Sequence, residues 1–271
     1  MKLSVALFLT DILPHKRKLF NKIVKNKLFE NLSTDEVFLK FKKSGITGVE
    51  ILLPSSVTQE DIHDVKKVLV KNNMNIYSVH QALRFLTMTK LPEINELFEY
   101  SKFLESDVIV LHMNSAGSQV LNSRYVSKIH ELQRKYEIKA GFENSEKHIG
   151  SKLKSYGWDE DKFSALMKKE NFYITLDVCH LGQSGGDIVD FFKKNKDRIV
   201  NIHLSDYKSH YLNNSLRPLR YKHLPLGKGD LPIRDFLSAI KKSNYNGVLT
   251  MEISANLNGL LESAEIIRSN S

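Results

Sequence analysis

Short apolar stretches alternate along the chain with longer segments in which apolar residues recur every three or four positions. A short run rich in β-branched and aromatic residues is typical of a strand, whereas the longer periodicity is typical of an amphipathic helix. Eight runs fit the first description. They are "KLSVALFL", "GVEILLP", "NIYSVHQ", "DVIVLHMN", "IKAGFEN", "FYITLDVCH", "RIVNIHLSD" and "GVLTMEIS".

Helical segments follow these strands in turn, over residues 33–44, 58–72, 91–105, 123–136, 158–170, 187–195, 233–243 and 257–269. The first opens with Ser33 and Glu36 in the positions of a capping box. Eight strand–helix repeats predict a parallel sheet that closes into a single (β/α)8 TIM barrel, one domain over residues 1–271. An open doubly wound sheet is the alternative, but no G-x-G-x-x-G follows the first strand, as a dinucleotide site requires.

Composition agrees with a barrel of this kind. A chain of 271 residues is a normal size for one closed α/β barrel, and its 41% of hydrophobic residues can fill a large core. Cys179 is the one cysteine, so no intramolecular disulfide forms and a reducing compartment is expected. The start, "MKLSVALFLTD", is predicted to be a strand rather than a signal peptide, because its apolar run ends at Asp11 without a cleavage site. No apolar stretch is long enough to cross a bilayer, and we expect a cytoplasmic protein.

The formal net charge of +9 raises the question of nucleic-acid binding. The densest basic segment is "HKRKLFNKIVKNK" at residues 15–27, where apolar residues also recur at helical spacing. The segment could contact phosphate groups, but we favour a solvated amphipathic helix face as its explanation.

Candidate chemistry lies at the carboxyl ends of the predicted strands, where TIM-barrel active sites are built. Six consecutive strands end in residue types that bind metals: His80, His112, Glu143, Asp177 followed by His180, His203 and Glu252. Two positions earlier, on the same face, the residues are mostly small or polar and leave room: Ser78, Val110, Gly141, Thr175, Asn201 and Thr250.

A single histidine at a strand end is usually a hydrogen-bonded structural group. Four histidines and three carboxylates that converge on one face are different, because buried carboxylates repel one another unless they are protonated, paired or bound to a metal. The pattern therefore predicts a metal site, with Asp177 as a ligand and His180 as its neighbour. Cys179 is expected to pack in the core, since thiolate sites usually bring several cysteines.

The strand pattern and the segments "VEILLP", "FEN", "LDVCH", "HLSD" and "HLPLGKGDL" resemble the xylose isomerase-like TIM-barrel superfamily over nearly the whole chain. That superfamily contains sugar isomerases and epimerases, with sugar-phosphate relatives, and the endonuclease IV family of apurinic endonucleases. In the epimerase branch the resemblance implies one metal, usually manganese or another divalent ion, on the residues that match Glu143, Asp177, His203 and Glu252. The two glutamates would also form an acid–base pair, and His180 would contact substrate.

In the endonuclease IV branch the resemblance implies that the same four residues hold a zinc ion. A second zinc would lie at His80 and His112, bridged by Glu143. A third would use His180, His223 and an aspartate two residues before His223. This chain has Tyr221 at that position, so we expect at most two metal ions.

Further residues could belong to the site. Glu50, on the second strand, is either a substrate contact or a buried structural carboxylate. Basic residues of the long seventh loop surround His223 and could bind a phosphate group: Arg217, Arg220, Lys222 and Lys228. The "GQSGGD" loop is expected to be a turn with Asp187 as a helix N-cap, and a phosphate site there is the alternative.

The sequence therefore predicts a metal-dependent barrel enzyme, with manganese or zinc and one or two ions, that acts on a small carbohydrate or sugar phosphate by proton transfer. Glu143 and Glu252 are the expected acid–base pair. The alternative is an apurinic endonuclease that acts on DNA, and a third hypothesis is a metal-binding regulatory protein without turnover. No membrane partner is expected, and the sequence leaves the oligomeric state open.

Overall fold

The computed structural model describes residues 2–13, 28–29, 32–54, 57–81, 91–112, 123–146, 157, 159–208 and 222–270. Within them, eight parallel strands form a closed barrel in chain order. The ring closes between the first strand and the last, with Leu3 opposite Leu249 and Val5 opposite Met251. The predicted (β/α)8 barrel is confirmed, and the open doubly wound sheet is excluded because such a sheet would leave these two strands unpaired.

All eight predicted strands are present. They are β1 Lys2–Phe8, β2 Gly48–Leu52, β3 Asn75–His80, β4 Val108–His112, β5 Lys139–Glu143, β6 Tyr173–Asp177, β7 Ile199–Leu204 and β8 Val248–Met251. The helices of the described residues are α1 Leu9–Ile12, α2 Thr34–Lys43, α3 Gln59–Lys71, α4 Leu91–Phe103, α5 Ser123–Tyr136, α6 Glu160–Lys169, α7 Val178–Gln183, α8 Ile188–Asn195, α9 Ile233–Lys242 and α10 Leu257–Asn270. No helix in these ranges is both long enough and apolar enough to cross a membrane.

The sixth strand differs from its prediction. The sequence predicts a strand that runs through His180, but β6 ends at Asp177 and the short helix α7 begins at the next residue. The reason is local, because Oδ1 of Asp177 accepts a hydrogen bond from the backbone N–H of His180 at 2.8 Å. Asp177 is thus an N-cap, and a cap ends the extended conformation at its own position.

Two other predicted caps are confirmed. Ser33 and Glu36 form a reciprocal capping box, in which the Ser33 hydroxyl accepts from Glu36 N and the Glu36 carboxylate accepts from Ser33 N. Asp187 accepts from the backbone N–H groups of Val189 and Asp190. The "GQSGGD" loop therefore ends in an ordinary helix cap.

The two faces of each strand are chemically different. Residues such as Leu3 and Val5 point outward and join the apolar core between the strands and helices. The alternate positions face the barrel interior and are mostly small or polar. Fully buried polar residues of that interior layer are Ser4, Glu50, Ser78, Thr175, Asn201 and Thr250. The chain therefore keeps its apolar core outside the barrel and a hydrogen-bonded polar layer inside it.

Candidate metal centre

The barrel brings the ligand-type residues of its strand ends to one face. The parallel register sets His112 beside Glu143 and Asp177 beside His203 on neighbouring strands. Four residues each offer one ligand atom, and these atoms all lie within 4.8 Å of one another: Glu143, Asp177, His203 and Glu252. We call this set the four-residue group, and we call the ligand-type residues at the strand ends, from His80 on β3 to Glu252 after β8, the ligand ring or simply the ring.

The four-residue group is rich in acceptors and poor in donors. Nδ1 of His203 lies 2.8 Å from Oε1 of Glu143 and 3.0 Å from Oε2 of Glu252. Oδ2 of Asp177 and Oε2 of Glu252 are buried and receive no properly directed hydrogen bond from a described residue. Because buried oxygens without a donor cost free energy, this donor set fits a divalent cation bound to oxygen and imidazole nitrogen.

The pKa values of the group follow from burial and from mutual charge. Burial raises the pKa of Asp177, and the neighbouring carboxylates of Glu143 and Glu252 raise it further against the opposing effect of nearby histidines. Burial also disfavours the charged forms of Glu143 and His203, but their attraction to oppositely charged neighbours prevails. The pKa of Glu143 is held well below its ordinary value, and that of His203 well above it.

A second group lies beside the first and shares Glu143 with it. Nδ1 of His112 is 3.0 Å from Oε2 of Glu143, and Nε2 of His80 is 3.8 Å from the same oxygen. Nδ1 of His80 contacts the backbone carbonyl of Gln81 at 2.9 Å, so this nitrogen carries the hydrogen and leaves Nε2 for Glu143 or a cation. These three residues, His80, His112 and Glu143, are the histidine-pair group.

The surroundings of His80 favour its protonated form. Burial lowers the pKa of His80, but the hydrogen bond to Glu143 and the charges of Glu50 and Glu143 outweigh burial and raise it to about 9. At neutral pH an imidazolium therefore faces the carboxylate, and a cation bound here would have to displace that proton.

His180 on α7 and His223 in the segment after the seventh loop lie beside the four-residue group. Nδ1 of His180 lies 3.0 Å from the carbonyl of Asn144 and 3.3 Å from Oδ2 of Asp177, and the two histidine rings are 5.5 Å apart. Ligand atoms of Asp177, His180 and His223 also lie within 4.8 Å of one another. These three residues form a third ligand-type group that does not include residue 221, which lies outside the described residues. The expectation of at most two ions stays a prediction.

Glu50 lies beneath the ring and is fully buried. Its Oε2 accepts hydrogen bonds from Ser78 at 2.6 Å and from Asn201 at 2.8 Å, and Nε2 of His203 lies 3.0 Å from its Oε1. Burial works against the charged carboxylate, yet His203 holds the pKa of Glu50 below its ordinary value. Of the two sequence interpretations, this position supports the buried structural carboxylate.

Two amides fix the backbone of candidate ligands, and the sequence did not single them out. The Asn144 side chain accepts from the backbone N–H of Asp177 at 2.8 Å and donates to its carbonyl at 2.9 Å. Oε1 of Gln81 accepts from the backbone N–H of His112 at 3.0 Å. Each amide directly follows a ligand on one strand and fixes the backbone of a ligand on the next strand. That placement, in "HQ" and "FEN", was the available signal.

Asp206 anchors the segment that follows the seventh loop. The sequence did not predict this role either. The buried carboxylate of Asp206 accepts from the backbone N–H groups of Gly227, Gly229 and Leu231. A Cβ at Gly229 would overlap this carboxylate, so the close approach requires glycine. Lys228 is exposed on the turn that these bonds create.

Some of the remaining predicted residues lie within the described part of the chain and others do not. Lys222 is buried and forms an ion pair with Glu146. Cys179 lies in the core, where it accepts a hydrogen bond from Gln183 and where burial raises the pKa of its thiol. Arg217 and Arg220 lie outside the described residues, as does the basic segment 15–27. Phosphate binding by the loop therefore stays a prediction.

Comparison with known proteins bears on the whole chain. A family model described as "Xylose isomerase-like TIM barrel" matches residues 38–270. The chain is 25% identical over 212 residues to uncharacterized protein MJ1311 of Methanocaldococcus jannaschii, a match over 73% of this chain and 66%, just under two thirds, of that protein. It is 23% identical over 240 residues to an inosose dehydratase of Clostridium perfringens, over 77% of this chain and 78% of that protein. A solved D-tagatose 3-epimerase-like protein superposes with a TM-score of 0.69 at 19% identity, over 100% of this chain and 97% of that chain, which shows a shared fold.

Proposed function

This chain belongs to the xylose isomerase-like TIM-barrel family, and we propose that it is a divalent-metal-dependent isomerase or epimerase of a small sugar or sugar phosphate. One observation carries the proposal. Three carboxylates and one imidazole of the four-residue group meet within 4.8 Å at the carboxyl ends of the strands. A divalent cation would neutralise this cluster of buried acceptors and bind their oxygens directly.

A bound divalent cation would polarise the carbonyl and hydroxyl oxygens of a sugar and so acidify the C–H bond between them. The protein's own groups then have to move the proton. Glu143 and Glu252 are suited to this because they stand on β5 and just after β8 and approach His203 Nδ1 at 2.8 and 3.0 Å. A substrate above His203 would have a carboxylate on either side. One glutamate removes the carbon-bound proton, and either glutamate returns it.

Similar proteins support a substrate class. One relative is an inosose dehydratase, and one structural neighbour is a D-tagatose 3-epimerase-like protein. Dehydration beside a carbonyl and epimerisation beside a carbonyl begin with the same step, removal of a proton from the neighbouring carbon. We therefore propose a polyhydroxylated ketone, either open-chain or cyclic, as the substrate. His180, His223 and Lys228 are the proposed substrate contacts beyond the ring.

The apurinic endonuclease is the second candidate, and one observation favours it. The histidine-pair group has the composition of a second cation site next to the first, and paired cations about 4 Å apart promote phosphodiester hydrolysis. The net charge of +9 would attract DNA to either kind of enzyme. DNA binding alone therefore does not separate the two candidates.

The test uses heavy water. The manganese-loaded protein is incubated with a panel of ketoses, ketose phosphates and cyclitol ketones, and deuterium on carbon is measured by mass spectrometry. Glu252→Gln should lower labelling by at least about 100-fold, because the amide cannot carry the proton. The matched control, Glu262→Gln on the exposed face of α10, should label at the wild-type rate. Absence of labelling, together with abasic-site cleavage that is lost in His112→Ala, would establish the nuclease instead.

A further inference from the structure

Glu50 is a buried acid for which the proposed proton transfer has no use. It stands on β2 in the interior layer of the barrel, one layer below the ligand ring, and none of its surface is exposed. A substrate at the strand ends could not touch it without crossing the ring. A fully buried carboxylate is costly to keep, so its retention needs a specific partner.

The partner is His203, which lies between two sets of carboxylates. Its Nδ1 faces Glu143 and Glu252 in the ring, whereas its Nε2 faces Glu50 at 3.0 Å and 3.2 Å from the two oxygens. A neutral imidazole carries one hydrogen, on one nitrogen only. Whichever nitrogen keeps that hydrogen decides whether the lone pair points into the ring or into the barrel.

Glu50 is itself held in one orientation. Ser78 and Asn201 both donate to its Oε2, at 2.6 and 2.8 Å. The Asn201 amide is oriented in turn by Thr250, whose hydroxyl donates to the Asn201 carbonyl oxygen at 2.9 Å. The hydrogen bond from Thr250 fixes the Asn201 amide so that its N–H points at Glu50. The carboxylate cannot turn away from His203 without breaking these bonds.

We propose that Glu50 is a positioning residue: by accepting the Nε2 hydrogen of His203, it fixes the tautomer and ring orientation that present Nδ1 as a ligand in the four-residue group. The inference rests on the proposed function, because it assigns a purpose to Glu50 only if His203 binds a cation. A carboxylate behind a ligand histidine also makes the ligand nitrogen more basic, and loss of such a partner typically lowers metal affinity about 10- to 100-fold.

The experiment measures Zn²⁺ affinity by competition with a chromophoric chelator, without any substrate. Glu50→Gln should bind Zn²⁺ about 10- to 100-fold more weakly than the wild type, since its amide accepts a weaker hydrogen bond and can also donate to Nε2. Ser4→Ala is the matched control, because Ser4 is a fully buried polar residue of the same interior layer with no hydrogen bond to a described residue. It should keep wild-type affinity within about threefold.

A spectroscopic readout separates positioning from plain structural support. Long-range ¹H–¹⁵N spectra of the Zn²⁺-loaded wild type, labelled at histidine and assigned with His203→Asn, should place the His203 hydrogen on Nε2. This arm does not depend on whether Glu50→Gln folds. A hydrogen on Nδ1 would overturn the proposal, and so would a folded Glu50→Gln protein with wild-type Zn²⁺ affinity. If the wild type itself bound no Zn²⁺, Mn²⁺ or Co²⁺, the proposed function would fail as well, whereas a folded Glu50→Gln protein with wild-type Zn²⁺ affinity would leave it intact.

Discussion

The two groups that share Glu143 differ in their balance of acid and base. The four-residue group sets three carboxylates against one imidazole, whereas the histidine-pair group sets one carboxylate against two imidazoles. Protons can satisfy the histidine pair, since a protonated His80 lies against Glu143. In the four-residue group, buried oxygens of Asp177 and Glu252 receive no properly directed hydrogen bond from a described residue. This difference makes the four-residue group the stronger candidate for a cation.

The largest expected effect on metal affinity comes from removing a carboxylate of the four-residue group. Asp177→Ala should lower the affinity for the first divalent ion by more than about 100-fold, beyond the loss typical of an outer partner. Asp177 also caps α7, so the matched control is Asp187→Ala, which removes the N-cap of α8 at a residue that belongs to no ligand-type group of the described residues. The control should cost about 1 kcal/mol of unfolding free energy and no metal affinity. Equal metal content in both variants and the wild type would show that the ring is not a coordination site.

The pH dependence of loading should follow the protons that the histidines hold. The pKa of His80 is raised to about 9 and that of His203 is raised well above its ordinary value, which favours the protonated form of each imidazole. A cation must displace these protons, and its affinity should therefore rise with pH by about tenfold per unit for each proton released. Calorimetry in buffers of different ionisation enthalpy should report net proton release at pH 7. Loading without proton release would contradict the assigned charges.

The two amides that hold the ligands should separate the groups more finely. Asn144→Ala removes both bonds to the Asp177 backbone and should weaken the first ion by roughly tenfold. Gln81→Ala removes the bond to His112 N and should weaken only the second ion. Each variant is the control for the other in a two-step Co²⁺ titration. Identical losses at both steps in both variants would mean that the amides support the barrel in general and neither group in particular.

The smallest expected effect on turnover comes from the histidine pair. His112→Ala should remove the second ion, while deuterium labelling of the sugar substrate stays within about threefold of the wild type, because proton transfer is assigned to Glu143 and Glu252. His63→Ala, on the outer face of α3 and against Phe103, is the control for a histidine outside the barrel mouth. A loss of labelling as large as that of Glu252→Gln would place the histidine pair in the proposed reaction.

The sequence predicted the barrel and the positions of the ring residues for one physical reason. Strand period and residue type together fix which side chains reach the carboxyl ends, so His112, Glu143 and His203 could be placed without coordinates. The depth of Glu50 and the clamps made by Asn144 and Gln81 could not be placed in this way. They depend on the stagger between neighbouring strands, and β2 against β3 contains an irregularity between Val49 and Glu50. The end of β6 was missed because the cap at Asp177 competes with the strand pattern of the segment after it.

Cation binding by Glu143, Asp177, His203 and Glu252 can be tested with an anomalous-difference map from crystals grown with Mn²⁺, with data collected on both sides of the manganese absorption edge. We expect a manganese peak between these four side chains, with Nδ1 of His203 pointing at the ion. A map with no peak among them at saturating Mn²⁺, and with His203 Nδ1 still hydrogen-bonded to Glu143, would show that the four residues do not form a metal site.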